Sequence, residues 1–473
     1  MNKLPAHIVP AALSLAAIIC LGTSTAFPQG SGICFTVDSL APWAANAPAP
    51  MDIGLYYGGD TVANQAAHPD IEYWPDGFGP SGGATVIGVN RDGYPDTLVA
   101  SVDTPRWKYW MVFTPYVYSQ AVYEDPTIRV SNVKESGWIR PYAIGDDPTD
   151  SSENSDTVWV NDPIYNHYHY LENGHCSDPE FAYVPEEGRL YVLFRTSSKY
   201  THRIYVKAIF STDGISWDET QAFNLVVSGS PEPWKAWGLV SPSVCRDAPN
   251  RWRMWFVDIP GLNQGSQIIE LTAPRLDTTW TAVDTCLIAP PDTTLQIWHI
   301  KVVRSPMDSA LYLLATINGI GSTSAEKFGQ FLYVSQSGEV WNMVGEILPN
   351  GPPGAWDNET YRSTFRFERI NGRWTMPIWY TGAREIGPGL SVWGIGFTTA
   401  YPQWVQGDVN GDCRINISDI TFLINYLYKG GLRPDARFLA DIDGNCRANI
   451  QDITYLICNL YKGGPAPRAG CEQ

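Results

Sequence analysis

The sequence predicts a mainly β protein: a five-bladed β-propeller followed by a small α-helical domain built on two acidic loops. Three observations predict it. From about residue 51 to 402 the chain is made of short runs rich in Val, Ile, Tyr, Phe and Trp, separated by turn clusters and without a long helical period. Those runs recur as five loosely similar units, the signature of sheets set around an axis. Near the C-terminus two stretches repeat at an offset of 33 residues, each an oxygen-rich loop running into an apolar period of helical spacing.

Composition narrows the choice. The 473 residues leave room for two or three domains. Only 17% are charged while 13% are aromatic, and 42 Gly with 36 Pro supply turns, which excludes a coiled coil or a long helical bundle. The net charge of −17 argues against a nucleic-acid partner, because a phosphate-reading surface needs an excess of Lys and Arg. It equally disfavours an anionic membrane surface.

The N-terminus reads as a secretory signal over residues 1–26. Lys3 supplies the positive start, an apolar run follows from Ile8 to Leu21, and Ser24 and Ala26 place small residues at −3 and −1. The run is shorter than the ~20 residues a membrane span needs. Residues 27–50, rich in Pro and Ala, read as a linker. Export makes the remaining cysteines disulfide candidates: Cys34, Cys176, Cys245, Cys286, Cys413, Cys446, Cys458 and Cys471. Their even number is consistent with full pairing, and the four in the last 61 residues are expected to staple that segment internally.

The five units over 51–402 take their first strands from His68–Tyr73, Ser177–Tyr183, Leu239–Val244, Trp298–Val303 and Tyr361–Phe367. Second strands rich in Trp or Tyr follow at Lys108–Phe113, Arg189–Phe194, Arg251–Phe256, Leu311–Ala315 and Arg373–Tyr380. Polar third strands are expected at Thr127–Ser131, Ile209–Trp217 and Phe331–Ser335, with Gly214-Ile215-Ser216-Trp217 as a turn-and-aromatic device.

This pattern resembles the five-bladed propellers of glycoside hydrolase families 43 and 32. The best local signals are His68-Pro69-Asp70, Tyr123-Glu124-Asp125-Pro126 and Ser177-Asp178-Pro179-Glu180. The resemblance implies a central funnel lined by each blade's first strand. Glycoside hydrolysis needs one carboxyl to protonate the leaving oxygen and another to activate water or attack carbon. By its place in blade one, Asp70 is the expected general base. Asp178, at the matching place in blade two, is expected to position substrate or tune a neighbour's pKa. The family's acid is usually a Glu on a later blade, but units three and four open with Leu239-Val240-Ser241 and Trp298-His299-Ile300. Glu359 and Glu124 remain as candidate acids. For each carboxylate the structural alternative is a turn or cap residue, since Asp before Pro is a common turn signal.

His68, Trp298, His299 and Arg362 are candidate sugar-binding residues, with a buried core pair as the alternative for Trp298 and His299. The long loop between units one and two carries His167, His169 and His175 among Tyr165, Tyr168 and Tyr170. It reads as an aromatic rim over the pocket, with a metal site as the alternative.

The C-terminal repeat carries a more specific pattern. Positions 1, 3, 5, 7, 9 and 12 are Asp408, Asn410, Asp412, Arg414, Asn416 and Asp419 in the first loop. In the second they are Asp441, Asp443, Asn445, Arg447, Asn449 and Asp452. Calcium takes six to eight oxygens, and a tight loop with ligands at alternate positions wraps it; position 7 contributes a backbone carbonyl, so Arg is tolerated there. Helices follow, with apolar residues at Ile420, Leu423, Ile424 and Leu427 and at Ile453, Leu456, Ile457 and Leu460, ending at Gly pairs after Lys429 and Lys462.

These duplicated loops resemble a type I dockerin, matching over about 407–464 of a segment expected to span 405–473. The resemblance implies two calcium ions, calcium-dependent folding and docking onto a cohesin module of a scaffold or cell-surface protein. It implies recognition through positions 10 and 11 of each loop, here Ile417, Ser418, Ile450 and Gln451. Position 6, usually Gly, holds Cys413 and Cys446, where a left-handed backbone is costly. The symmetric change suggests that Cys413 and Cys446 pair with each other, or with Cys458 and Cys471.

Together the halves read as a secreted glycoside hydrolase-like propeller acting on polysaccharide and attached through its dockerin. A non-catalytic carbohydrate-binding propeller and a protein-interaction platform are the alternatives. A carboxyl pair across the funnel favours the enzyme, an aromatic-only funnel the binder, and a sealed top face the platform.

Overall fold

The computed structural model describes residues 44, 46–47, 49–50, 66–78, 85–89, 95–99, 107–115, 138–144, 159–160, 165–166, 176–197, 203–214, 216–228, 238–260, 265–306, 309–320, 327–370, 373–387, 390–400, 406–410, 415–431, 433–434, 437–468 and 470–471. The expected signal segment, Glu124, the strand at Thr127–Ser131, His167, His169, His175, Cys34, Asp412, Cys413 and Arg414 lie outside them.

Five antiparallel sheets follow one another along the chain. The first has strands β1 (Ala66–Phe78), β4 (Trp107–Pro115), β5 (Trp138–Ile144) and β6 (Trp159–Val160) in that order. A hairpin of β2 (Thr85–Val89) and β3 (Pro95–Val99) is inserted after β1, and β7 (Tyr165–Asn166) pairs with β5. The second runs β8 (Cys176–Val184), β9 (Arg189–Ser197), β10 (Ile204–Ser211) and β11 (Phe223–Val227). The third runs β12 (Val240–Ala248), β13 (Arg251–Asp258), β14 (Gln267–Ala273) and β15 (Thr281–Thr285). The fourth runs β16 (Leu295–Arg304), β17 (Leu311–Gly319), β18 (Lys327–Ser335) and β19 (Asn342–Leu348). In the fifth, β20 (Glu359–Phe365) and β23 (Leu390–Ala400) flank β22 (Arg373–Gly387), and β21 (Glu368–Ile370) also pairs with β22. The complete blades thus have four strands where three were expected; the outer strands were not anticipated.

The first strands close a ring. β1 packs on β8, β8 on β12, β12 on β16, β16 on β20, and β20 back on β1. Alternation along the second strands explains why. Successive side chains of a strand point to opposite faces, and here both faces are buried, each against a different neighbour. In β4, Tyr109, Met111 and Phe113 pack with Trp379 and Ile395 of blade five, while Trp110 and Val112 pack with Phe181, Val192 and Phe194 of blade two. In β13, Met254 and Phe256 join Leu193 and Val206 of blade two, whereas Trp255 and Val257 join Ile300 and Leu313 of blade four. Tyr312 and Leu314 of β17 meet Met376 and Ile378 of blade five. There is one apolar cluster in each of the five seams, and burying each large side chain contributes about 1.5–3 kcal/mol.

The seam between blades four and five has an extra component. Ala44 and Ala47, from the segment expected to be a linker, are buried in it. The Ala44 amide donates to Ile347 O at 3.0 Å, and Asn46 Nδ2 donates to Asp357 Oδ2 at 3.0 Å. The Ala47 amide donates to the Tyr380 hydroxyl at 2.8 Å.

The turn ending at Trp217 forms as expected: its Nε1 donates to Gly214 O at 2.8 Å, while Asp213 accepts from the Ser216 amide at 2.7 Å. Blade four repeats the device at Ser335–Trp341, with Trp341 Nε1 on Gly338 O at 2.8 Å.

The C-terminal unit has two helices, α1 (Ile417–Tyr428) and α2 (Ile450–Lys462), around a small core that includes Leu423, Ile442 and Leu456. Lys429 caps α1, and Gly463, at φ 67°, caps α2. Full cysteine pairing is not found among the described residues: Cys245, Cys286 and Cys458 are free thiols. Cys446 is bonded to Cys471, which corrects the Cys413–Cys446 alternative. Among the described residues no helix is long and apolar enough to cross a membrane.

Candidate functional site

All five axial strands break register at the same place. The irregularity falls between Ala67 and Asp70 in β1, Ser177 and Glu180 in β8, and Val240 and Ser243 in β12. It falls between Ile297 and His299 in β16, and between Thr360 and Ser363 in β20. Bulges of this kind re-aim side chains. In the first three strands the bulge is a left-handed residue before Pro: His68 at φ 55°, Asp178 at φ 55° and Ser241 at φ 51°. That conformation is costly for residues with a Cβ and is concentrated at functional sites.

The bulges stack two buried layers on the axis, each taking one residue per blade. The first layer is His68, Asp178, Ser241, His299 and Arg362; the second is Asp70, Glu180, Ser243, Lys301 and Thr364.

The second layer is an ion-pair network. Lys301 Nζ lies 2.6 Å from Asp70 Oδ1 and 2.9 Å from Glu180 Oε1. Asp70 also accepts from Thr364 Oγ1 at 2.6 Å and from the Phe181 amide at 2.8 Å. Glu180 accepts from Ser243 Oγ at 2.9 Å and from Arg362 Nη2 at 3.3 Å. Burial and the Asp70 charge push the Glu180 carboxyl up to about 7, against the pull of Lys301 and Arg362. Burial alone would lower the Lys301 pKa, but its two carboxylates raise it, so the ammonium stays charged.

The first layer has a different character. His299 Nδ1 lies 3.0 Å from Asp178 Oδ1 and 2.6 Å from Ser241 Oγ. Ser241 Oγ donates to Asp178 Oδ1 at 2.9 Å, so it accepts from His299, which places the imidazole proton on Nδ1. Asp178 Oδ2 accepts from Ser177 Oγ at 2.7 Å. His68 Nδ1 faces Thr114 Oγ1 at 3.3 Å, and its backbone amide donates to Thr381 Oγ1 at 3.0 Å. One ligand atom from each of His68, Asp178 and His299 lies within 4.8 Å of the others. Desolvation lowers the His68 pKa to about 3, so its imidazole is neutral. Burial works to raise Asp178, but His68, His299 and Arg362 hold it well below the usual carboxylate range. Two imidazoles and a carboxylate are a donor set for a divalent transition metal.

Aromatic rings stand beside the histidines. Tyr361 lies 4.3 Å from His299 and 5.4 Å from His68 between centroids, and Trp393 lies 5.1 Å from Tyr361. Trp298 Nε1 donates to the Tyr361 hydroxyl at 3.1 Å.

Of the sequence candidates, the structure brings His68, Asp178, His299 and Arg362 into one layer. Asp70 sits in the layer beside it. Arg362 gives Nη1 to Pro179 O at 2.9 Å and Nη2 to Glu180 Oε2 at 3.3 Å. Glu359 is half-buried at the start of β20, outside both layers. Sequence reasoning missed Glu180, Ser241, Lys301 and Tyr361. One signal was present: the spacing x-Pro-x recurs as His68-Pro69-Asp70, Asp178-Pro179-Glu180 and Ser241-Pro242-Ser243.

In the C-terminal unit the repeat holds atom by atom. Asp419 Oδ1 accepts from the amides of Val409 at 2.8 Å and Asn410 at 3.2 Å, and Oδ2 from Asn416 at 2.8 Å. Asp452 does the same with Ile442 at 2.6 Å, Asp443 at 3.1 Å and Asn449 at 2.8 Å. Asn416 and Asn449 complete capping boxes. Carboxylate oxygens of Asp441, Asp443 and Asp452 lie within 4.8 Å of one another, a hard-oxygen set that suits calcium. Cys446 at position 6 is left-handed, φ 67°, as the loop pattern requires. Ile417, Ser418, Ile450 and Gln451 are exposed.

Residues 406–461 match the dockerin type I domain family. Over 392 residues the chain is 23% identical to the A type blood N-acetyl-alpha-D-galactosamine deacetylase of Flavonifractor plautii. That match covers 77% of this chain and 46% of the relative, so the chain spans about half its length. The crystal structure of an N-acetylgalactosamine deacetylase from F. plautii, in complex with blood group B trisaccharide, superposes with a TM-score of 0.54 at 18% identity, over 78% of this chain and 97% of that one. A Penicillium chrysogenum alpha-L-arabinanase complexed with arabinobiose gives a TM-score of 0.43 at 10% identity, over 76% of this chain and 98% of that one. At 18% identity the likeness to the F. plautii structure is one of fold. The chain therefore joins a five-bladed propeller, of the fold seen in the F. plautii deacetylase, to a C-terminal type I dockerin domain.

Proposed function

We propose that the propeller hydrolyses the N-acetyl amide of an amino sugar within a glycan, at a site where His68, Asp178 and His299 hold a divalent cation. The observation that carries this reading is the meeting of those three side chains, from three different blades, within 4.8 Å. The F. plautii relatives, described as deacetylases, support the reaction class. In the reaction water adds across the amide C–N bond: oxygen goes to the acetyl carbon, giving acetate, and protons go to the leaving amine. A divalent ion would supply Lewis-acid polarisation of the carbonyl. The chain's own contribution is orientation. Asp178 and Ser241 fix His299 through Nδ1, Thr114 engages His68, and the half-buried faces of Tyr361 and Trp393 offer a sugar a stacking platform.

O-glycosyl hydrolysis is the second reading, and one observation favours it. Asp70 and Glu180 both reach Lys301 within 2.9 Å, so two axial carboxyls approach the ~5–5.5 Å separation that retaining glycosidases use. The Lys301 ammonium stands between the two carboxyls, which favours a positioning role for Asp70 instead.

The C-terminal domain is proposed to bind two calcium ions through its repeated loops and to dock onto a cohesin through the exposed Ile417, Ser418, Ile450 and Gln451. With the signal over residues 1–26, this gives an exported enzyme attached to a scaffold or cell surface.

The test is product analysis on N-acetylated glycans. Acetate release that is lost in His299→Ala, lost on chelation and restored by a divalent metal supports the deacetylase. New reducing ends, lost in Asp70→Asn, would establish the glycosidase instead. A folded protein that releases neither product but retains glycans would be a binding module.

A further inference from the structure

The two calcium loops share a sequence pattern, and the chain beyond α2 returns to the second; Pro467 also stands beside Gly407, just before the first. Arg468 N donates to Ile442 O at 2.9 Å, inside the second loop. Tyr455 and Asn459 of α2 donate to Ala466 O and Pro465 O, each at 3.1 Å. Gly470 lies so close that a Cβ there would stand 2.1 Å from Phe438 O and 2.9 Å from Asp441 O. The segment ends at Cys471, bonded to Cys446, position 6 of the loop.

The tail also reaches a metal ligand. Asp441, position 1, accepts from the Asn445 amide at 2.9 Å through Oδ1 and from the Cys446 amide at 2.9 Å through Oδ2. Those bonds are internal to the loop. A further donor to Oδ2 is the backbone amide of Cys471, at 3.0 Å. The carboxylate that opens the loop is therefore oriented by an amide 30 residues downstream, held there by the disulfide.

We infer that residues 465–471 are a positioning element of the second calcium site, and that the Cys446–Cys471 bond makes the two sites of the repeat unequal. The inference rests on the reading that these loops bind calcium. Three effects act together. The Cys471 amide orients Asp441, and outer donors of this kind set metal affinity. The disulfide removes freedom from the unbound loop, so less ordering is left for the ion to impose. It also holds Cys446 in the left-handed conformation that position 6 needs and a residue with a Cβ otherwise resists. As free calcium falls, the first loop empties before the second.

The experiment is a calcium titration of the full chain by calorimetry, repeated with Cys471→Ser and with Cys446→Gly/Cys471→Ser. Wild type is expected to show two unequal sites. Cys471→Ser is expected to weaken one of them by about ten- to a hundredfold while the other is unchanged. The double variant restores the easy backbone at position 6 but not the tether, and is expected to recover only part of the loss; because Gly removes the strain, it also reports on the tether if the single variant folds poorly. Asp408→Asn, which acts on the first loop, identifies the sites by weakening the other one. Two sites whose affinities are unchanged in both Cys471 variants would overturn the inference and leave calcium binding intact. A wild type that binds no calcium would overturn both.

Discussion

Asp178, on the second blade, and His299, on the fourth, meet across the propeller axis at 3.0 Å, with the Ser241 hydroxyl on both. The contact fixes Nδ1 as the nitrogen of His299 that carries a proton. Asp178→Asn preserves shape but removes the charge. It is expected to cut the rate of acetate release and the affinity for the divalent ion, each by roughly ten- to a hundredfold. Initial rates and metal titration check this together with thermal melting, which should remain cooperative. Unchanged metal affinity would remove Asp178 from the site.

Lys301 is the only ammonium in the second axial layer, and both Asp70 and Glu180 depend on it. Lys301→Met leaves two buried carboxylates facing each other and is expected to destabilise the fold by about 3–5 kcal/mol. Adding Glu180→Gln should recover part of that, because the residues share one network and their effects do not add. Urea unfolding of the two variants measures both. A loss below about 1 kcal/mol for the single variant would mean that the layer is not an anchor of the ring.

Gly338 accepts three side-chain donors on one carbonyl: Trp255 Nε1 at 3.1 Å, Trp341 Nε1 at 2.8 Å and Cys286 Sγ at 3.3 Å. It has φ 85°, and a Cβ there would stand 2.3 Å from Arg253 Nη2, in the buried Arg253–Glu270 pair. Gly188 has φ 60° but open space around it. Gly188→Ala is expected to cost about 1–2 kcal/mol from backbone strain alone. Gly338→Ala should cost clearly more, since strain and collision combine. Paired chemical denaturation curves compare them; equal losses would show that Arg253 yields freely.

Burial pushes the Cys286 thiol up to about 12, so at pH 8 roughly one molecule in ten thousand carries the reactive thiolate there. Cys176 is fully buried, and burial raises Cys245 as well. Among the described thiols, Cys458, half-buried on α2, is the one expected to react first. Iodoacetamide labelling of the native protein, read by peptide mass, should mark Cys458 and spare Cys176 and Cys286. Reaction at Cys286 at a comparable rate would show that the seam between blades three and four opens in solution.

The first strands of the blades were legible because their apolar and aromatic runs, set between turn clusters, are local. The dockerin loops were legible because every ligand lies within twelve residues. The outer strands were not. Thr281–Thr285 is exposed along its whole length, so it carries no alternation to read. Nor were the axial partners: Lys301 meets Asp70 across most of the propeller sequence, and Thr364 meets it from further still. Asp70 is the instructive case. Its motif is visible in the chain, but that both its oxygens are taken follows only from residues brought in by the second, fourth and fifth blades.

Because each axial layer draws one residue from every blade, no fragment of the ring contains either layer. A ribosome that has delivered four blades has made a chain with His68, Asp178 and His299 but without Arg362 or Thr364, and with the seam against blade one still open. Both layers are thus completed in a single step, when the last blade closes the circle. The same arithmetic governs its decay: one proteolytic cut that frees any blade takes a residue from both layers at once, so an ageing population of this protein would consist of molecules with both layers whole and molecules with neither.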